Sequence, residues 1–157
     1  MSLAARKLRN FLRQPRFFQL GFFPTWCLLG LARMVVLSVP FRQIAPRLGQ
    51  HAGVNAAVPL LTPAAIFRAR QISHLINGSA RYCPWNANCF AQAITARCWL
   101  KVYGIPYALY FGLKKDAEQK LLAHAWVCAG PVYVTGGNSF SEFTVVSMFL
   151  SPALWAR

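Results

Sequence analysis

The sequence predicts an α+β fold in which a helical N-terminal half is followed by one further helix and a small antiparallel sheet. Up to about Ser79 the apolar residues recur at helical spacing between breaks, whereas between Arg81 and Phe149 one helix-compatible run gives way to short apolar runs bounded by turn residues. With 157 residues the chain suits a single domain, residues 1–157, with a helical part at 1–80 and a core at 81–150.

The N-terminal half is predicted to contain helices separated by prolines. Breaks are expected at Pro15, Pro24, Pro40, Pro46 and the stretch GQHAGVNAAVPLLTP. The best-defined helix is TPAAIFRARQISHLIN, in which Thr62 can act as the N-cap and Pro63 suits the first turn. Asn77 and Gly78 are expected to end it.

The apolar segment from Phe17 to Phe41 has to be weighed as a signal peptide or a membrane span. Arg33 in its middle, together with Gln19 and Pro24, leaves no uninterrupted run of about 18 to 20 apolar residues. We therefore expect one or two buried or amphipathic helices in a cytoplasmic protein. A basic flank leaves contact with a membrane surface open. It consists of Arg6, Lys7, Arg9, Arg13 and Arg16.

The charge balance restricts both the partners and the chemistry. Seventeen Lys and Arg residues stand against three carboxylates, Asp116, Glu118 and Glu142, for a net charge of +14. Such a chain is expected to meet an acidic partner, which could be nucleic acid, an anionic membrane or an acidic peptide or protein. The basic residues are spread along the chain without an aromatic and basic platform, so nucleic-acid binding is not expected. Chemistry that needs a pair of carboxylates is largely excluded.

The cysteines do not form a framework. There are five, at positions 27, 83, 89, 98 and 128, with no C-x-x-C pair. The odd number and irregular spacing favour reduced thiols over a disulfide scaffold or a zinc site. No metal or cofactor is expected.

The second part of the chain reads as one helix and several strands. NCFAQAITARCWLKVYG has Asn88 as a capping residue and Gly104 as its stop. The runs IPYALYFGL, LLAHAWVCA, VYVTGG and FTVVSMFL are strand candidates, with a turn at Gly130 and Pro131. One helix followed by three or four antiparallel strands is typical of the α+β class.

Two residues of this part could carry chemistry together. Cys89 follows the N-cap directly, so its sulfur lies near unpaired backbone N–H groups and the positive end of the helix dipole, a position that favours the thiolate. A cysteine at such a position is by itself more often a core residue. His124 shares one face of its strand with Leu122, Trp126 and Cys128. If the helix packs across the strands, this imidazole can serve as the base for the thiol. His51 and His74 have no such neighbours and are interpreted as structural or surface residues.

Four motifs in order resemble one known family. CFAQA at 89–93, YGIPYALYFGLKKD at 103–116, AHAWV at 123–127 and TGG…FTVVSMF at 135–149 are similar to the transglutaminase-like cysteine peptidases of lasso-peptide biosynthesis. The resemblance is to the leader-peptidase subunit. It covers nearly the whole chain, counting the apolar N-terminal region and the lead-in PWxxxC at Pro84 and Trp85.

The resemblance implies a papain-like or transglutaminase-like fold and a hydrolase that cuts the leader from a ribosomally made precursor peptide, a step of antibiotic biosynthesis. It also implies a separate leader-recognition protein and a partner macrolactam cyclase. Carried over position by position, Cys89 matches the nucleophile and His124 the general base. The backbone N–H of Cys89, with Gln92 one turn further on, is the candidate oxyanion site.

The third catalytic position departs from the family pattern. In the family an Asp lies about a dozen residues after the His, and here Gly136 occupies that position. A hairpin centred on Gly130 and Pro131 would place Gly136 and Gly137 opposite Ala125 and His124. The group that orients His124 could be the side chain of Asn138 or Thr135, a backbone carbonyl, or Glu142. Asn138 is the preferred candidate.

Two other functions remain open from the sequence. The missing Asp suits a catalytically degenerate scaffold or binding subunit of a peptide-maturation complex. The same nucleophile and base would also serve a related acyl transferase or deamidase, which hands the acyl group to an amine or acts on a side-chain amide.

Overall fold

A computed structural model describes residues 3–54 and 58–152, with side chains from residue 6 onward. Its elements in chain order are helices α1 (Leu3–Leu12), α2 (Arg16–Ser38) and α3 (Phe41–Leu48), strand β1 (Gln50–His51), helices α4 (Pro63–Ala80) and α5 (Cys89–Val102), strands β2 (Ala108–Lys115), β3 (Leu121–Ala129) and β4 (Val132–Thr135), a 3-10 turn (Phe140–Glu142) and strand β5 (Thr144–Leu150).

The sheet is antiparallel throughout and has the order β1-β5-β2-β3-β4. The strands β2, β3 and β4 follow one another in space as in sequence, and β5 returns to the free edge of β2. The predicted α+β class, with one helix before a run of antiparallel strands, is therefore confirmed. β1 was not predicted, because its two residues lie in a stretch interpreted as a break.

The sheet separates two apolar clusters. Ala125, Val127 and Ala129 of β3 point toward the helices and join the main core, to which α2, α4 and α5 contribute. Trp126 and Cys128 point to the opposite side, into a smaller cluster with residues of β2 and β5. The predicted alternation of β3 is thus confirmed, and it decides on which side of the sheet each neighbour of His124 lies.

Side-chain caps start the two helices that flank the site. The Thr62 hydroxyl accepts a hydrogen bond from the backbone N–H of Ala65 at 3.3 Å, and Asn88 Oδ1 accepts one from Ala91 N–H at 3.0 Å. Both predicted N-caps are confirmed. Gly104, with φ of +61°, follows the end of α5, as expected for a glycine stop.

Three predicted breaks are wrong. Pro24 lies inside α2 and Pro46 inside α3. A proline removes one helical hydrogen bond, at a cost of about 3 kcal/mol, and packing of the buried face of α2 against α4 offsets that cost. The helix α4 also continues past Asn77 and Gly78 to Ala80. Gly78 is required there for packing, since a Cβ would lie 2.6 Å from the ring of Phe18.

Candidate active site

Cys89 is the first residue of α5, directly after its cap. Because Asn88 satisfies the N–H of Ala91, and Gln92 N–H already donates to the Asn88 carbonyl, the N–H groups of Cys89 and Phe90 are left without an acceptor in the described part of the chain. Two unpaired N–H groups at the positive end of a helix can bind an oxyanion. Cys89 itself is half-buried.

His124 lies on β3 directly opposite Gly112 of β2. Its ring stacks on Trp126, with the ring centres 5.8 Å apart, and also contacts Phe143 at 5.0 Å. Gly112 makes this arrangement possible, because a Cβ there would lie 2.8 Å from both Phe143 and Trp126. The imidazole is therefore held between two aromatic rings above a position where only glycine fits.

A backbone carbonyl fixes the orientation of this ring. His124 Nε2 lies 2.9 Å from the carbonyl oxygen of Gly136. A carbonyl oxygen only accepts hydrogen bonds, so Nε2 carries the hydrogen, and in the neutral ring Nδ1 is the nitrogen with a free lone pair. This is the tautomer that a base needs when it takes a proton through Nδ1.

A backbone carbonyl was one of the alternatives left open for the group that orients His124. The other candidates were Asn138, Thr135 and Glu142. Asn138 lines the same cavity as His124, and its orienting role remains a prediction. Thr135 is buried, with no hydrogen-bond partner for its hydroxyl in the described residues. Glu142 instead pairs with Lys114, whose hydrogen bond and charge lower the pKa of that carboxyl.

The pairing of β3 with β4 near Gly136 is shifted by one residue from that of a regular hairpin centred on Gly130 and Pro131. A β-bulge shifts the ladder so that Thr135 pairs with Val127 and Tyr133 with Cys128, which brings Gly136 next to Trp126 instead of Ala125. Gly136 has a φ of +71°, and a Cβ there would lie 2.6 Å from the carbonyl oxygen of Ala125. An Asp at position 136 would therefore not fit this backbone unless the segment after β4 moved.

Cys89 and His124 line the same two clefts. One cleft is polar, with a volume of about 1020 Å³, and the other is apolar, with a volume of about 460 Å³. Cys89 and His124 are the two residues that line both clefts. The imidazole lies on the same side of β3 as Trp126, and the pairing of Cys89 with His124 as nucleophile and base remains a prediction.

The polar cleft runs along α4, the lead-in to α5 and the segment after β4. Gln92 lies in its lining, and its Nε2 donates to the carbonyl of Ala87 at 2.7 Å, which leaves one further N–H on that amide. Trp85 of the lead-in also lines it, with its indole nitrogen buried and without an acceptor in the described chain. The carboxylates Asp116, Glu118 and Glu142 do not contribute to either cleft.

The apolar cleft lies on the helix side of the sheet. It is lined by the end of α2, the start of α3, the first turn of α5 and parts of β2, β3 and β5. Its aromatic wall is made by Phe41, Phe90 and Phe111, whose rings contact each other at 5.1 to 5.9 Å. Sequence reasoning did not find this cleft. The available signals were Phe90 directly after Cys89 and Phe111 on the strand next to His124.

The remaining cysteines differ from Cys89 in their surroundings. Burial raises the pKa of the Cys128 thiol to about 12 and also raises the pKa of Cys83. Cys27 is exposed on α2, and Cys98 is half-buried on α5. In the described ranges, 3–54 and 58–152, no group of three or more metal-binding side chains occurs.

The other two histidines make structural contacts. His51 Nε2 lies 3.1 Å from the hydroxyl of Ser147, which joins β1 to β5. His74 Nε2 lies 2.9 Å from Gln14 Oε1 and its ring contacts Phe18, so it ties α4 to the start of α2. His74 also lines the polar cleft.

The family of the chain follows from its match to a model of a known family. A model of the Transglutaminase-like superfamily matches residues 35–148, from the end of α2 to β5. The chain belongs to this superfamily, and the α+β, transglutaminase-like fold predicted from the sequence is confirmed. The superfamily includes cysteine peptidases, acyltransferases and deamidases, as well as degenerate members. No curated protein and no solved structure gives a significant match to the chain.

Proposed function

We propose that this protein is a cysteine endopeptidase that removes the leader from a lasso-type, ribosomally made precursor peptide. The observation that carries the proposal is that Cys89 and His124 both line the same two clefts, with His124 Nε2 held by the Gly136 carbonyl. The order and spacing of the four sequence motifs support the lasso-type substrate.

The reaction begins with proton transfer from Cys89 Sγ to Nδ1 of His124. The thiolate attacks the scissile carbonyl carbon, and the developing oxyanion is bound by the N–H groups of Cys89 and Phe90, assisted by the Gln92 amide. When the tetrahedral intermediate collapses, the C–N bond breaks and the leaving amine takes the proton from the imidazolium. A thioester remains on Cys89.

Water completes the cycle. His124 takes a proton from it, the resulting hydroxide attacks the thioester carbon, and the C–S bond breaks to release the carboxylate of the leader and regenerate the thiol. Throughout, the imidazolium is stabilised by the dipole of the Gly136 carbonyl instead of a full negative charge. Stacking on Trp126 and Phe143 keeps water away from the two faces of the ring.

The two clefts suit an extended peptide that passes Cys89. An apolar side chain on one side of the scissile bond would occupy the apolar cleft. The more polar chain on the other side would lie in the polar cleft along α4. A net charge of +14 favours an acidic leader or an acidic partner surface. We expect a separate leader-recognition protein to present the precursor and a macrolactam cyclase to take over the product.

The test is cleavage of a leader-bearing precursor by the purified chain together with its recognition partner, followed by mass spectrometry. Cys89→Ala and His124→Ala should each abolish cleavage while the circular dichroism spectrum is unchanged, and Cys98→Ala, on the same helix, should cleave normally. Full activity of either site variant would overturn the assignment.

Product mass separates the proposal from its relatives. Hydrolysis frees the leader with a new carboxylate, amine transfer leaves the leader joined to the acceptor, and deamidation adds about one mass unit to an intact chain. A chain that binds precursor but forms none of these products would be a degenerate scaffold. The proposal stands only if the free leader appears.

A further inference from the structure

The helix α2 presents an uninterrupted apolar ridge to the outside. Leu20, Phe23, Leu31, Met34 and Leu37 are each between 56% and 79% exposed, and Cys27 lies exposed in the middle. Intervals of three and four residues place them on one side of the helix. The opposite side is buried against α4 and α5 through residues such as Thr25, Leu29 and Ala32.

This geometry means that α2 lies flat on the domain. The helix is long and apolar enough to cross a membrane, and only 22% of its most apolar window is buried within the protein. Its buried face packs on the rest of the core, so the free face is available along its 23 residues, about 34 Å. An exposed apolar surface of this size marks an interaction site.

Both ends of the ridge are basic. Arg16 continues the ridge one turn before Leu20, and Arg42 lies exposed just after the helix. Residues 1–48 carry eight Lys and Arg, and the first acidic residue of the chain is Asp116. The surface around the ridge therefore complements negative charge at both ends.

The chemistry of the ridge distinguishes lipid from protein. A protein interface usually makes about one hydrogen bond per 100–200 Å². Between Arg16 and Ser38 the fully exposed positions of α2 carry apolar, proline or cysteine side chains, whereas the polar Gln19 and Arg33 are half-buried. Acyl chains need no hydrogen bonds, and anionic headgroups supply the charge that the arginines require.

We infer that α2 binds in the plane of an anionic lipid surface, with its apolar ridge inserted at the level of the acyl chains and the flanking arginines on the headgroups. This binding does not depend on the proposed peptidase activity. It assigns the exposed face of α2 to a membrane instead of a partner protein.

Flotation of the full chain with vesicles tests the inference. The chain should float with vesicles of equal parts phosphatidylglycerol and phosphatidylcholine and much less with phosphatidylcholine alone. Phe23→Glu with Leu31→Glu should weaken binding about tenfold or more. The matched control, Val102→Glu with Leu121→Glu, makes the same charge change at exposed apolar positions outside the ridge and should bind nearly as the wild type.

The reactivity of Cys27 tests whether the exposed face of α2 is inserted in lipid. A membrane-impermeant maleimide, read out by peptide mass spectrometry, should label Cys27 in free protein but not on anionic vesicles, with Cys98 as the internal reference. The inference is overturned if the chain does not float, if both double variants bind equally, or if Cys27 stays reactive on vesicles. It is also overturned if sedimentation velocity shows a dimer that protects Cys27 without lipid.

Discussion

The Nε2 atom of His124 lies 2.9 Å from the backbone carbonyl oxygen of Gly136. The position where related peptidases are expected to carry a carboxylate thus supplies a main-chain acceptor. It sets the tautomer as a carboxylate would, but its partial charge stabilises the imidazolium less than a full negative charge. The candidate site thus has a main-chain acceptor where the family pattern has a carboxylate.

Substitution of Gly136 tests this contact. We expect Gly136→Ala to lower the free energy of unfolding by more than the about 1–2 kcal/mol that positive φ costs an L-residue, because its Cβ would also clash with the Ala125 carbonyl. Gly104→Ala is the matched control, since its φ is also positive but no atom lies within 4 Å of the added Cβ. Urea unfolding compares the two.

Gly136→Asp is expected to impair the site, although it supplies the carboxylate typical of the family. The added side chain meets the same clash, so the segment after β4 must move and the His124 contact is lost. Stability and alkylation of Cys89 by iodoacetamide would both fall. Faster alkylation with unchanged stability would show that the backbone can accommodate a carboxylate here.

The Asn138 and Glu142 side chains provide the second test of the orienting group. The neutral imidazole has one N–H, and Gly136 already accepts it, so we expect Asn138→Ala to reduce cleavage by less than about tenfold, well below the 10²–10⁴-fold typical of a general base. Glu142→Gln should leave the rate unchanged, because the carboxylate pairs with Lys114. A hundredfold loss in either variant would assign the orienting role to that residue.

Alkylation of individual thiols distinguishes a catalytic pair from ordinary cysteines. We expect Cys89 to react fastest at neutral pH, because it is half-buried at a helix start and shares its clefts with His124. His124→Ala should slow that reaction selectively. Cys128, with a pKa of about 12, and Cys83, whose pKa is also raised, should remain nearly unreactive. Equal reactivity at Cys89 and Cys98 would argue against an assembled pair.

The sequence predicted where Asn88, Cys89 and His124 lie in their helix and strand, and the reasons are local. Asn88, Cys89 and His124 were placed by short-range rules, namely capping and strand alternation, which depend on neighbouring residues alone. The carbonyl of Gly136 could not be singled out, since every residue has one and the β-bulge that aims it arises from strand pairing.

Tertiary packing accounts for the other differences. Pro24 was expected to break a helix because proline is unfavourable in helix interiors, yet α2 continues since Gly21 and Thr25 pack into the core on either side of it. The apolar cleft combines residues from α2, α3, α5 and three strands. No periodicity within one segment indicates that such residues meet.

The apolar cleft, with its aromatic wall, should control which peptides are cleaved. Phe41 is partly exposed in its wall, and burial of a ring against a substrate side chain contributes about 1.5–3 kcal/mol. We therefore expect Phe41→Ser to lower kcat/KM about tenfold or more for a precursor with an apolar residue beside the scissile bond, mainly through KM. Phe41→Leu, which preserves much of the apolar surface, should lose far less. Equal values for all three proteins would place the substrate elsewhere.

Stability at alkaline pH should depend on Cys128. Burial raises the pKa of its thiol from 9.0 to about 12 in the folded protein, so above pH 9.0 the unfolded chain releases a proton that the folded chain retains. The stabilisation is complete below the unfolded pKa and is lost as pH rises toward the folded pKa, with a slope of at most about 1.4 kcal/mol per pH unit.

The raised pKa values of Cys83 and Tyr107 act in the same direction, so the wild type must be compared with Cys128→Ala. The variant should be less stable at neutral pH, where it lacks the packed thiol, and its free energy of unfolding in urea should fall less steeply above pH 9.0. Parallel curves for the two proteins would show that Cys128 does not stay protonated in the folded state.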